Sequence, residues 1–418
     1  MSTLGGVDFS KLLRAGDGAW WSQAGAEPEP LVNVLLDQAA DIGPLRAFCG
    51  LTWNKRLAGG IPDGLSVVSY GGLGQLRSLS KVGLLDVVPC HYSSIPRMFE
   101  RGQLPNDLGI VQVSPPGADG KVTLGIGVDY AADAIPHTRR LVAEINAQMP
   151  ETVGSLRLPL SAFEAVIETD RPLREAVARE PDAADRRIAE HVASLIEDGD
   201  TIQVGVGTLP NAVLAAMSGH RDLGVHSGMI TDGILDLIEQ GVITGARKEI
   251  DPGVVITGAA LGSRVGCYER LSDFPIEFRP ASYSHAPAVL SGLPSLVSIN
   301  SAIEVDLLGQ VGSELSAGVH IGAIGGQVDF SRAASLTGAR SIIALRSEVR
   351  GRSTIVSALR SGVVSTARVD IDAVVTEHGI ALVSGCTVAE RARRLLAIAS
   401  PAHRDQLERE FSGLDVSA

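Results

Sequence analysis

The sequence predicts an α/β fold in which open sheets carry helices on their faces. Short β-branched runs, namely Leu65-Ser66-Val67-Val68-Ser69-Tyr70, Gly109-Ile110-Val111-Gln112-Val113 and Val254-Val255-Ile256-Thr257, alternate with helical patterns along the chain. The 47 glycines among 418 residues gather behind such runs instead of forming a low-complexity tract, the pattern of strands that end in tight turns. Apolar residues make up 45% and charged residues 20%, a globular balance that argues against disorder. With aromatics at only 4%, packing is expected to rest on Val, Leu, Ile and Ala.

A chain of this length is expected to hold two domains. The boundary is placed near residues 170–186, where Thr169-Asp170-Arg171-Pro172 and Glu180-Pro181-Asp182-Ala183-Ala184-Asp185 are charged, contain proline and lack large apolar groups. This gives domains at 1–185 and 186–418. The second opens with a helix, because Ile188, Val192, Leu195 and Ile196 share one face of a 3.6-residue period, and Asp198-Gly199-Asp200 ends it. Thr201-Ile202-Gln203-Val204 then reads as a strand running into the turn Gly205-Val206-Gly207, with Pro210 opening a helix through Met217. Pro210 stands where a dinucleotide-binding fingerprint has its third glycine, so that reading is weak. No short-period repeat is visible, and the halves are expected to be distantly similar folds at most.

The formal net charge of −12 disfavours nucleic acid and anionic membranes as partners. No apolar run reaches the roughly 18 residues of a membrane span, and Met1-Ser-Thr-Leu-Gly-Gly lacks a basic region followed by an apolar core, so a cytoplasmic location is expected. Cys49, Cys90, Cys267 and Cys386 lie far apart, fit no metal-ligand spacing, and are read as buried reduced thiols. No metal is expected.

Several unusual runs carry the functional signal. They are Leu223-Gly224-Val225-His226-Ser227-Gly228-Met229-Ile230-Thr231-Asp232-Gly233; Pro96-Arg97-Met98-Phe99 with Leu104-Pro105-Asn106-Asp107 and Gln112-Val113-Ser114-Pro115-Pro116; Val297-Ser298-Ile299-Asn300-Ser301-Ala302-Ile303-Glu304-Val305-Asp306-Leu307; and Gly325-Gly326-Gln327-Val328-Asp329-Phe330. Together, over roughly residues 30–410, they resemble the acetyl-CoA hydrolase/transferase family, which includes 4-hydroxybutyrate and butyrate CoA-transferases. The resemblance implies two open α/β domains of CoA-transferase type with an acyl-CoA thioester in the cleft between them, coenzyme A arriving as part of the substrate, and a homodimer. It also implies an oxyanion hole made by the backbone N–H of Val206 and that of Gly326 or Gly325, since attack on a thioester puts negative charge on its oxygen. Gly205, Gly207, Gly228, Gly325 and Gln327 would line the coenzyme A site.

Two departures from the family pattern stand out. Where the family has a nucleophilic glutamate, this chain has Gly228, which carries no side chain and cannot attack. In Tyr283-Ser284-His285-Ala286-Pro287, an imidazole replaces the asparagine that usually steadies that glutamate. His285 is therefore the first candidate for a base acting on water, with His226 second. Ser227 lacks the Gly-x-Ser-x-Gly context of a serine nucleophile. Asp232 is read as the cap of a helix over residues 234–240, and His378 receives no role. Arg346, Arg350 and Arg352, after an apolar strand, are candidates for the phosphates. Direct hydrolysis leads the functional readings, followed by transfer or ring closure through a ternary complex. A non-catalytic acyl-CoA binding protein is the third.

Overall fold

The computed structural model describes residues 6–176 and 179–412. The chain divides into two compact units. Unit 1 comprises Met1–Ala176, Ile256–Ala286 and Val319–Gly325, and unit 2 comprises Val177–Val255, Pro287–Gly318 and Gly326–Ala418.

The sheet of unit 1 is built from β1 (Gly18–Trp21), β2 (Leu45–Phe48), β3 (Leu65–Ser69), β4 (Leu85–Val87), β5 (Leu108–Val113), β6 (Arg140–Asn146) and β7 (Ala165–Thr169). They run parallel in the order β4-β3-β2-β1-β5-β6-β7. Helices must cover both faces of such a sheet. The helix Glu29–Ile42 covers one, burying Leu31, Val32, Leu35, Leu36 and Ala39 at the i, i+1, i+4, i+5 and i+8 spacing of a single stripe. Burial of each leucine favours folding by roughly 1.5–3 kcal/mol.

Against the expectation from composition, unit 1 packs several of its aromatics into one cluster. Phe99 meets Trp20 and Phe48 edge-on at 5.8 and 5.5 Å, and Tyr130 meets Phe48 at 5.5 Å. Gly109 exists because of this cluster, since a Cβ there would lie 2.6 Å from the Trp20 ring.

In unit 2, β8 (Thr201–Val204), β9 (Gly224–Ile230), β10 (Leu296–Asn300), β11 (Arg340–Ala344) and β12 (Ala373–Thr376) run in the order β9-β8-β10-β11-β12, all parallel, with β13 (Gly379–Leu382) antiparallel at the edge. Its core of Val305, Leu307, Ile343, Ile355, Val374 and Leu395 is aliphatic. The order β9-β8-β10-β11-β12 repeats β2-β1-β5-β6-β7 of unit 1, so each sheet starts in its middle, grows one way and then returns to the other side of its first strand. The sequence carries no short-period signal of this repetition.

Local predictions need correcting at four places. The helix of unit 2 spans Ala183–Ala193 and starts inside the segment read as a linker, because Asp182 accepts from the N–H groups of Ala184 and Asp185 while the Asp185 carboxylate accepts from Asp182 N–H. The helix after the glycine turn spans Thr208–Ala216, with Pro210 in its first turn, where a missing N–H costs little. Thr231, not Asp232, stands at the N-cap of Asp232–Glu239, and no side chain caps it. Of the four free cysteines, Cys49 and Cys267 are buried but Cys90 and Cys386 are half-buried. Among the described residues, no helix is long and apolar enough to cross a membrane.

Candidate active site

In an open parallel sheet, ligands bind outside the carboxyl ends of the strands, at the point where the strand order reverses. In unit 2 that point lies between β8 and β10. The turn Gly205-Val206-Gly207 leaves β8 there and leads into the helix Thr208–Ala216. Gly207 has φ +131°, a conformation that favours glycine, which lets the chain leave the strand and enter the helix at once. The helix Gln327–Thr337 connects back to β11 and ends two residues before it, so its amino end also faces the carboxyl edge of the sheet. Gly326 is the N-cap of that helix, and its carbonyl accepts from Phe330 N–H at 3.2 Å. Two helix amino ends therefore meet one edge, and the dipole of each favours developing negative charge there.

The floor beneath them is polar. Gln203 Oε1 accepts from Ser298 Oγ and from Asn300 Nδ2, both at 3.0 Å, and Asn300 Nδ2 also donates to Ser298 Oγ at 2.8 Å. Gln203 and Asn300 were not singled out as site residues in the sequence. In the sequence each is only a lone amide within an apolar strand, almost a hundred positions from the other.

On the neighbouring strand, β8 pairs with β9 so that Thr201 faces Gly224 and Ile202 faces Val225. Continuing that register sets Gly228 beside Gly205. Ser227, one residue earlier, donates to Val204 O at 3.3 Å and is buried, so its hydroxyl points into the sheet. His226 is wholly buried within β9. Unit 2 thus sets Gly205, Val206 and Gly207, at the end of β8, next to the part of β9 that holds Gly228. Gln327 is fixed beside Gly326, its amide donating to Thr366 Oγ1 at 2.9 Å and its carbonyl accepting from Ser313 Oγ at 3.2 Å.

The arginines separate. Arg346 is consumed in the fold, bonded to both Asp182 and Asp185 at 2.7 Å, and leaves the set of phosphate candidates. Arg350 and Arg352 are exposed, Arg350 in the turn of a small hairpin with φ +53° and Arg352 opening its second strand. His378 lies 3.7 Å from Glu377.

In unit 1, Gly325 ends the segment Val319–Gly325. Ala323 bridges Gly71, Gly322 O accepts from Gly72 N–H, and Gly325 O accepts from Tyr92 N–H at 3.0 Å. His285, 4% exposed, follows the short helix Ala281–Ser284. Its ring lies 4.7 Å from the Tyr92 ring, and its Nδ1 is 3.0 Å from Ser284 Oγ. Behind Tyr92 is a closed polar cluster. Gln23 Nε2 donates to the Tyr92 hydroxyl and to Asp129 Oδ2, both at 2.8 Å, while Gln23 Oε1 accepts from the Tyr70 hydroxyl at 2.8 Å. Burial pushes the Asp129 carboxyl up to about 6 and the Tyr92 phenol well above its ordinary value. A second buried carboxyl of unit 1, Glu27, is pushed up to about 7 by burial, although Thr52 Oγ1 and Trp53 N–H donate to it at 2.5 and 3.1 Å. A cleft of about 560 Å³ in unit 1, lined by Pro150, Leu173, Arg264 and Tyr268, includes none of the candidate residues. Among the described residues, no group of three His, Cys, Asp or Glu is arranged to hold a metal ion.

Comparison with known proteins agrees with this fold. Residues 69–174 match the acetyl-CoA hydrolase/transferase N-terminal domain, and residues 267–411 match the C-terminal domain of the same family. The 4-hydroxybutyrate coenzyme A transferase of Clostridium kluyveri is 37% identical over 343 residues, which cover 81% of this chain and 80% of that protein. Among solved structures, RipA from Yersinia pestis superposes with a TM-score of 0.90 at 31% identity, covering 98% of this chain and 96% of its own. The 4-hydroxybutyrate CoA-transferase of Porphyromonas gingivalis gives a TM-score of 0.80 at 32% identity, with 96% and 95% covered. Two matched family domains and relatives of this identity along most of their length leave one assignment: this chain belongs to the acetyl-CoA hydrolase/transferase family and is an enzyme of it.

Proposed function

We propose that this enzyme passes the acyl group of a small acyl-CoA directly to water. The observation that carries the reading is Gly228, a residue without a side chain within β9 beside Gly205, where the family pattern has its attacking glutamate. In the proposed step a water oxygen bonds to the thioester carbon and gives its proton to His285. The carbonyl oxygen takes up negative charge against the N–H groups of Val206 and of Gly326 or Gly325. The C–S bond then breaks, and the proton passes to the departing thiolate of coenzyme A. Each backbone donor of this kind is worth roughly 2.7–4 kcal/mol of barrier. Gly205, Gly207, Gly228 and Gln327 border the thioester in this reading, and Arg350 and Arg352 meet the phosphates. His226, enclosed in β9, supports the strand. The working form is a homodimer, which sedimentation would test.

Incubating the purified protein with a panel of acyl-CoA esters and titrating free thiol tests the reading. Thiol release without any acceptor acid is expected, and strict dependence on a carboxylate acceptor would overturn it. The similarity to a CoA-transferase at 37% identity favours a second reading, in which an acceptor carboxylate or a nucleophile within the substrate attacks the thioester in a ternary complex. Intersecting initial-rate lines in two substrates would support it, whereas parallel lines would point to a covalent enzyme and remove both readings.

A further inference from the structure

The donor proposed for the thioester oxygen at Gly326 sits in soft backbone. Two glycines follow each other there, Gly325 with φ +53° and Gly326 with φ −83°, and neither has a Cβ to restrict its dihedrals or to pack against a neighbour. Such a segment keeps one position only if something else holds it. On the carbonyl side of the Gly325–Gly326 peptide the hold is the bond from Tyr92 N–H to Gly325 O. On the other side it must come from the helix Gln327–Thr337, whose first residue is also the first after the glycines to carry a side chain.

Gln327 turns that side chain into unit 2. Its amide donates to Thr366 Oγ1 at 2.9 Å and accepts from Ser313 Oγ at 3.2 Å, so two separate segments grip it. Those segments are tied to each other. Val311 N–H donates to Thr366 O at 3.1 Å, and Val311 O accepts from the N–H groups of Ser365 and Thr366 at 2.8 and 3.2 Å. Ser313 N–H donates to Ser365 Oγ at 2.9 Å, and that hydroxyl donates at 2.6 Å to Glu314 Oε2, on a carboxylate only 4% exposed. Thr366 is wholly buried. The amino end of the helix is therefore fastened to an anchored knot of polar groups, and the Gly326 carbonyl, accepting from Phe330 N–H at 3.2 Å, follows the helix.

We infer that Gln327 is a positioning residue: its grip on Ser313 and Thr366 seats the amino end of the helix and so holds the Gly326 N–H in place. Glu314, through Ser365, anchors the grip. The side chain works through the backbone beside it and not through the acyl group. The catalytic meaning rests on the proposed role of the Gly326 N–H, while the grip itself does not.

Coupling between Gln327 and residue 326, measured in the full-length protein, tests the inference. Gln327→Ala is expected to lower kcat of thiol release about tenfold, the scale of one or two hydrogen bonds, with KM unchanged. The same loss is expected on top of Gly326→Ala, which keeps the N–H, and no further loss on top of Gly326→Pro, which lacks it. Thr366→Val, without the hydroxyl, should show a smaller loss with the same dependence on residue 326, and Thr366→Ser should restore activity. That pair decides should Gln327→Ala not fold. Equal losses in the Gly326→Ala and Gly326→Pro backgrounds, or a raised KM with kcat unchanged, overturn the inference and leave the oxyanion reading standing. A fully active Gly326→Pro variant removes the oxyanion role of this N–H and with it the catalytic meaning of the grip. Amide hydrogen exchange at Phe330, whose N–H closes the first helical turn, reads the grip without turnover: it is expected to quicken in Gln327→Ala, and an unchanged rate overturns the inference whatever the activity.

Discussion

In the proposed reading, position 228 decides which chemistry the candidate site performs, because the resemblance puts the family's covalent attacker there. Gly228→Glu is expected to confer some acceptor-dependent CoA transfer, measured by acyl exchange into labelled acetate, and the folded variant with no exchange would argue against the register that sets residue 228 beside Gly205. His285→Gln is expected to lower thiol release by roughly 10²–10⁴-fold, the usual contribution of a positioned base. Gly326 offers a test of a backbone group. Its φ of −83° lies near the range of proline, so Gly326→Pro removes the N–H with little change at that residue. A loss of roughly 10²–10³ in kcat is expected if that N–H faces the oxyanion, with Gly326→Ala, which keeps the donor, as control. Equal activity in both variants would transfer the role to Gly325.

At the scale of elements, the segment Val319–Gly325 depends on the glycines it lies against. A Cβ at Gly72 would overlap the His320 carbonyl, and one at Gly71 would overlap the Ala323 side chain and the Gly322 carbonyl. Gly72→Ala should therefore push the segment off its seat and cost about 1–3 kcal/mol, the range for overpacking, read as a lower denaturation midpoint. The turn after β1 supplies a pH dependence. Because the folded pKa of Glu27 is raised from 4.5 to about 7, the native state holds more protons than the unfolded chain between those values. Stability should fall as pH rises through that window, by about 3 kcal/mol for this group. Asp129 adds a smaller fall over a lower range, from 3.8 to about 6. Glu27→Gln should flatten the slope of melting temperature between pH 4.5 and 7, and an unchanged slope would assign the proton elsewhere. The elements legible in the sequence were those with strong periodicity or punctuation, such as β3, β5, β8 and the glycine turn after it. The start of Ala183–Ala193 was hidden because an Asp-x-x-Asp cap looks like linker composition. The capping of Asp232–Glu239 was misread because an acidic residue in the first turn resembles one at the cap.

For the whole molecule, the family and the α/β class were legible because several long unusual runs, from Pro96-Arg97-Met98-Phe99 to Gly325-Gly326-Gln327, follow the family pattern in order. The repeated strand order was not, since equal topology needs no equal side chains. Nor was the Gln203–Ser298–Asn300 floor, which draws on residues almost a hundred positions apart and exists only once β8 pairs with β10. If coenzyme A binds the native protein, a concentration of 100 times its dissociation constant adds about 2.7 kcal/mol to stability. A rise in melting temperature with coenzyme A, larger for the preferred ester, is the expected result, and no rise with any ester would remove the acyl-CoA reading.

Unit 1 is assembled from three separate stretches, and its last piece ends at Gly325, roughly 150 residues after Ala176 closes the first. At ribosomal speeds of about 5–20 residues per second, something like 7–30 s pass between the two during synthesis. Throughout that interval the nascent chain exposes the edge where Gly71, Gly72 and Tyr92 await the segment Val319–Gly325. Maturation in the cell therefore favours a holding chaperone, and a fragment truncated anywhere before residue 325 should be recovered from expression as inclusion bodies.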